Sequence, residues 1–359
     1  MNRLLRTLAL TLILALLLAP LSACIPENPA GGGSTTTTTT AGSGSGDGSG
    51  QKPDGGGQGG TEGGDQGGDV IIGGGGDVIV GGDVIMGGES SDKEEGGEEF
   101  IPSYSLGLSY KKDDATMTAT VSGIGTCTDT DIIIPDVIDG YTVVGIEHLA
   151  FNSNKTITSI VIPATVTEIV ANAFGGCSNL ASVDVGLGVK KIGDSAFSRC
   201  QKLTELILHE GLEEIGMSAF ADCTRLAMVA FPLSLRVIGS NAFTRAGLRD
   251  VTLKSPTLSI HSMAFKNCTA LTHVYLPDGL QKLSQQVFYD CTQLANVEIG
   301  AGLTKIENAA FGSCSRLREL TYRGSQAEFS AVETEGTWIS GSGFTPKVHC
   351  IDGTLRVSG

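Results

Sequence analysis

Apolar residues return along this chain at a fixed interval. Phenylalanine stands at 151, 174, 197, 220, 243, 265, 288 and 311. The step is 23 residues throughout, except for the 22 between Phe243 and Phe265. Alanine precedes every one of these rings except Phe288, where Val287 takes its place. Five residues before the rings stand Ile146, Ile169, Ile192, Ile215, Ile238, Ile260, Leu283 and Ile306. Three residues after them comes cysteine in six copies, with Asn154 and Ala246 in the other two. A leucine and two alternating apolar residues follow, as in Leu180, Val183 and Val185. A period of this length marks stacked units, each of which buries its apolar face only against a neighbour.

The period also predicts the elements. Alternation at 180–185 turns Val183 and Val185 inward and residues 182 and 184 outward, a strand pattern. Stacked in parallel, these strands predict one continuous sheet on a concave face. The Ile-x-x-x-Ala-Phe stretch predicts a short strand and then a tight helical turn on the convex side. Open ends of such a stack need caps. Residues 104–122 predict a hairpin turning at Lys111-Lys112-Asp113-Asp114, with Met117, Ala119 and Val121 on one face. At the far end Ser325-x-x-Glu328 predicts a capping box opening a short helix. Trp338 and a hairpin around Asp352-Gly353 follow. The expected fold is thus a mostly β solenoid of eight repeats. Residues 100–135 form an N-terminal β cap, 136–323 the repeats and 324–359 a C-terminal cap.

The repeat core Cys-x-x-Leu-x-x-Val-x-Ile resembles the leucine-rich repeat. With Ile162-Pro163, Val166-Thr167-Glu168-Ile169 and Ala173-Phe174-Gly175-Gly176-Cys177-Ser178-Asn179-Leu180, the longer form is similar to the BspA-type repeat of bacterial surface proteins. The likeness covers about residues 124–323. It departs at Ala246, at the shortened step after it, and in rungs without proline. The resemblance implies surface display and interaction with other molecules. It also implies a closing cap with a tryptophan and a Val-His-Cys strand, here Trp338 and Val348-His349-Cys350.

The first 99 residues read differently. Arg3 and Arg6 precede an apolar run at 8–19, the shape of a secretory leader and too short to span a bilayer with normal flanks. It ends in Leu21-Ser22-Ala23-Cys24, which resembles the lipobox of bacterial lipoproteins. The resemblance implies a lipid on Cys24 and attachment to the membrane, at about 0.8 kcal/mol per buried CH₂. Residues 25–99 are Gly-, Thr-, Ser- and acid-rich, a composition that buries too little apolar surface to order itself. They are expected to be a disordered spacer. Three Asp-Val-Ile motifs, at Asp69, Asp77 and Asp83, interrupt it and match neither a calcium repeat nor a phosphate loop.

Charge sharpens this division. The net charge of the whole chain is −15. Residues 25–99 supply most of it, with 14 acidic and 2 basic groups. The expected folded part is only mildly acidic. No Lys/Arg stripe is visible along the sequence, so nucleic acid is not an expected partner.

Candidate chemistry is sparse. Six of the nine cysteines share one repeat position and read as buried small hydrophobes rather than as a disulfide or metal framework. The five histidines sit in no metalloprotease or nucleophile-elbow motif. Asp129 and Asp131 suit a solvated turn better than a calcium loop. No cofactor, metal or catalytic residue is predicted. The outward concave columns remain. One runs Ser159, Ser182, Glu205, Met228, Asp250, His273, Asn296, Glu319; the other runs Val161, Asp184, Ile207, Ala230, Thr252, Tyr275, Glu298, Thr321. Ile207, Met228, Asp250, His273 and Tyr275 are the candidate ligand-binding residues. The expected function is a cell-surface, lipid-anchored, monomeric binding protein for a protein or glycan. The rival readings are an envelope scaffold without a specific ligand and an accessory domain of a surface enzyme system.

Overall fold

The computed structural model describes residues 104–340 and 347–356. The leader, Cys24 and the Asp-Val-Ile motifs lie outside the described residues.

The repeats stack as parallel rungs. On one flank, strands of three or four residues carry the Leu-x-x-Val-x-Ile pattern. Their central residues are buried: Ile160, Val183, Leu206, Val251, Val274, Val297 and Leu320. Registers step by one rung without slip, as in Ser159↔Ser182, Ser182↔Glu205 and His273↔Asn296. On the other flank, two-residue strands such as Glu168–Ile169, Lys191–Ile192 and Glu214–Ile215 pair in parallel and bury the isoleucine. Between the flanks lies the phenylalanine column. Neighbouring rings are stacked with centroids 5.0–5.5 Å apart, close to the natural spacing of strands in a sheet. A side chain in this column therefore meets its own kind above and below.

The turns after the short strands are not helical, contrary to the pattern-based expectation. Each holds two residues with left-handed backbone, for example Ser195 and Arg199, Ser218 and Asp222, and Asn241 and Arg245. A helix cannot pass through such residues, and Asn, Asp and Ser are among the side chains that tolerate them best. Alternate N–H groups then point out of the rung. Ser195, Phe197 and Arg199 donate to the carbonyls of Met217, Ala219 and Ala221 at 2.7–2.8 Å. The turn thus continues the inter-rung ladder that a helix would have turned in upon itself.

The cysteines extend the ladder. Cys200 Sγ donates to the Phe174 carbonyl at 3.3 Å and Cys223 Sγ to that of Phe197 at 3.2 Å; the other four repeat thiols do likewise. No described cysteine is in a disulfide. Burial pushes the Cys177 thiol up to about 11 and those of Cys223, Cys268 and Cys314 up to about 12.

The long-strand sheet, expected to be continuous, is divided. Asp131–Ile133, Ser159–Val161, Ser182–Asp184 and Glu205–Ile207 form one sheet. Asp250–Thr252, His273–Tyr275, Asn296–Ile299, Glu319–Tyr322 and the C-terminal hairpin form another. Residues 226–231 between them make no strand. Two features meet there. Phe231 occupies the inward position held by Ile162 and Val185 elsewhere; it stays half-buried, edge-on to Phe243 at 5.6 Å. The 22-residue rung follows, and its Arg249 N–H keeps the inter-rung bond of this position, donating to the Ala227 carbonyl at 3.0 Å as Thr272 does to that of Arg249 at 2.8 Å. Gly247 permits the shortened turn before it, because a Cβ there would lie 2.3 Å from the Thr224 carbonyl oxygen.

The two caps join different flanks. Ser109–Asp113 and Thr118–Gly123 form the N-terminal hairpin, and its second strand pairs with Tyr141–Ile146 in the short-strand sheet. Its turn falls at 114–117, beyond the tetrad Lys111–Asp114 expected from sequence. Ala119 and Val121 are buried, but Met117 sits in the turn with positive φ and 50% exposure, because the chain reverses there. Lys347–Cys350 and Gly353–Arg356 form the C-terminal hairpin and extend the long-strand sheet. The capping box at Ser325 opens the helix Gln326–Ser330. Trp338 closes the phenylalanine column edge-on against Phe311.

Candidate functional site

Strand alternation turns every second side chain of the long strands outward. On the C-terminal sheet these residues converge on a depression of about 420 Å³. Asp250, Thr252, His273 and Tyr275 line it from the first two strands; Asn296, Glu298, Glu319, Thr321 and His349 line it from the following ones. His273 Nδ1 lies 3.1 Å from Asp250 Oδ1 in the same repeat position one rung away. His349 Nε2 lies 3.3 Å from Glu319 Oε2 at the opposite end. The two imidazole–carboxylate pairs bracket a floor of buried Val251, Val274 and Val297.

Tyr275 is not a free ring. The Arg323 guanidinium lies over it, 4.5 Å from the centroid, and donates to the Tyr275 hydroxyl. Arg323 also donates to the Leu276 carbonyl at 2.9 Å. It pairs with Asp278 at 3.0 Å and Glu298 at 3.4 Å. One partly buried cation therefore fixes the ring and balances two carboxylates. Planar guanidinium suits both tasks, stacking and forked donation. What remains for a ligand is a shallow bowl of carboxylate, amide and hydroxyl groups beside one edge of a tyrosine. Such a surface can bind hydroxyl groups by paired hydrogen bonds, or cations by charge.

Of the five residues singled out from sequence, the structure gathers three in this bowl: Asp250, His273 and Tyr275. Ile207 lies half-buried on the other sheet, across the break. Met228 lies in the unpaired stretch, 44% exposed. Neither lines the bowl. Arg323, Glu298, Glu319 and His349 were not singled out. Arg323 occupies the position after the strand that holds Pro163, Pro232 and Pro277 in other rungs, and an arginine in place of a proline was the available signal. Asp184 and His209, paired at 2.8 Å, form a separate, smaller contact on the N-terminal sheet. Among the described residues, no group of three or more His, Cys, Asp or Glu side chains is placed to hold a metal ion. Nor is any helix there long and apolar enough to cross a membrane.

The family model for the BspA type leucine rich repeat region matches residues 144–269 and 236–333, in six copies. The chain belongs to the BspA-type leucine-rich-repeat family. The matched segments take in the phenylalanine rungs from the first short strand to the start of the C-terminal cap, and so cover both flanks described above. A leucine rich repeat protein of T. pallidum is similar, with 27% identity over 61% of this chain and 91% of that one and a TM-score of 0.44. A leucine-rich repeat protein of Eubacterium ventriosum shares 20% identity over 63% of this chain and 69% of its own, with a TM-score of 0.43. A leucine rich cell surface protein of Faecalibacterium prausnitzii shares 22% identity over 64% and 97%, with a TM-score of 0.30. No curated protein matches the chain.

Proposed function

We propose that this BspA-type protein is a non-catalytic binding protein, displayed on the bacterial cell surface through a lipid on Cys24. Its C-terminal long-strand bowl engages a protein or glycan ligand. The observation that carries this reading is the convergence of Asp250, His273 and Tyr275 with Glu298, Glu319 and Asn296 around one depression. Its polar lining favours a hydroxyl-rich or cationic ligand. Broad, extended faces of repeat proteins suit large partners, and tyrosine is enriched among binding hot spots. Attachment rests on the complete Leu21-Ser22-Ala23-Cys24 motif behind a basic, apolar leader.

Two experiments test the two halves. Cys24→Ala should move the protein out of the membrane fraction; unchanged fractionation would refute the anchor. Binding of the full chain to immobilised glycans and extracellular-matrix proteins, compared with an Asp250→Asn, Tyr275→Ala variant, tests the bowl. The variant should lose most of the affinity seen with wild type. Absence of any ligand for the wild-type chain would favour the scaffold reading.

A further inference from the structure

A second surface lies on the rim where the turns pass into the long strands, on either side of the sheet break. Several cations of the solenoid are neutralised across rungs, such as Lys191 by Glu214, Lys282 by Glu307 and Lys305 by Glu333 and Glu335. Four on the rim are not. Arg199, Lys202, Arg225 and Arg249 are all exposed. Among the described residues, none of their side chains has an ion-pair or hydrogen-bond partner.

The repeat brings the four together. Lys202 and Arg225 hold the same repeat position in adjacent rungs, whose Phe197 and Phe220 rings are 5.4 Å apart. Arg199 lies three residues before Lys202, across a single turn. Arg249 stands one rung beyond Ala227, to whose carbonyl its N–H donates, and two residues past the position that Lys202 and Arg225 hold. The carboxylate within this group, Asp222, is held by Arg245 at 2.5 and 2.9 Å. That pairing, with Arg199 nearby, keeps its carboxyl below the usual range. Arg245 is thus the hydrogen-bonded partner of Asp222, and Arg199 adds only its charge. Along the chain these cations are scattered over 51 positions, so no charge run announces them.

We infer that this rim binds a polyanionic glycan, one bearing sulfate or carboxylate groups along its sugars. Three of the four cations are arginines, whose fork matches such oxyanions. Among the described residues, the rim presents no exposed aromatic ring on which nucleotide bases could stack, as single-stranded nucleic acid requires. Affinity there must come from charge-assisted hydrogen bonds to a flexible chain of anions. This inference does not depend on the bowl.

The test uses the full chain and heparin, a sulfated and carboxylated glycan. Wild type should bind with an affinity that falls steeply with salt, as counterion release requires. The triple variant Lys202→Gln, Arg225→Gln, Arg249→Gln should weaken Kd at least about tenfold. The control triple Lys190→Gln, Lys254→Gln, Arg356→Gln removes the same charge from three exposed cations away from the rim. It should change Kd by no more than about twofold. All six side chains are exposed and unpaired, so both variants should melt like wild type. No binding by wild type, or equal weakening in both triples, would overturn the assignment. Polyglutamate displacing heparin at equal charge would also overturn it, in favour of an acidic polypeptide.

Discussion

Phe220→Ala probes the interior of the stack in the middle of the array. The ring is fully buried and lies between Phe197 at 5.4 Å and Phe243 at 5.3 Å. Truncating a buried phenylalanine costs roughly 3–5 kcal/mol through lost transfer energy and the cavity left behind. Loss of two stacked neighbours, each worth about 0.5–1.5 kcal/mol beyond area, places this site in the upper part of that range. Rigid rungs on both sides limit collapse into the void. For a domain of this size about 2–4 °C of melting temperature follows each kcal/mol, so the midpoint should fall by about 6–20 °C. Phe151→Ala provides the internal comparison, because Phe151 stacks on Phe174 at one face only. It should cost less. Calorimetry and urea titration of both variants give the answer. Equal losses, or a Phe220→Ala melt coincident with wild type, would refute the view that the ring column carries the inter-rung coupling.

Three further outcomes follow from the same geometry. Gly247→Ala should destabilise by about 1–3 kcal/mol, because its Cβ meets the Thr224 carbonyl oxygen at 2.3 Å; urea titration would show it. Arg323→Ala should cost about 1–2 kcal/mol through the lost ring stacking and charged hydrogen bonds, and Arg323→Lys should not restore it, for want of the planar fork; thermal melts of the pair decide this. Thiol burial sets an alkaline limit. The folded thiols keep their protons above the ordinary value of 9.0, Cys223, Cys268 and Cys314 up to about 12. Their contribution to stability is therefore full below pH 9 and lost as pH climbs from there towards 12. Urea midpoints measured across that interval should fall more steeply for wild type than for a Cys223→Ala, Cys268→Ala variant.

The phenylalanine and isoleucine columns made the rungs, the inward faces and the thiol ladder legible before any coordinates, because each follows from one period and one alternation. The capping box at Ser325 was legible for the same local reason. The turn conformation was not. Ala-Phe suits a helix by propensity, and only the Asn, Asp and Ser residues at two fixed positions hinted at left-handed backbone. The break in the long-strand sheet also escaped, although Phe231 and the missing residue after Ala246 mark that rung in the sequence. Strand pairing depends on how one rung seats on the next, which alternation within a rung does not encode. Asp250, His273 and Tyr275 could be grouped from strand phase alone. Arg323 could not be joined to Tyr275, because 48 residues separate them. The break likewise separates Ile207 and Met228 from the group they were expected to join.

The most direct test of the binding role is hydrogen–deuterium exchange on the full chain, with and without a ligand captured by the wild-type protein. Binding in the bowl should protect the strands Asp250–Thr252, His273–Tyr275 and Asn296–Ile299 and leave the short strands Glu168–Ile169 and Lys191–Ile192 unchanged. Protection confined to those short strands, or to the N-terminal hairpin, would contradict the account.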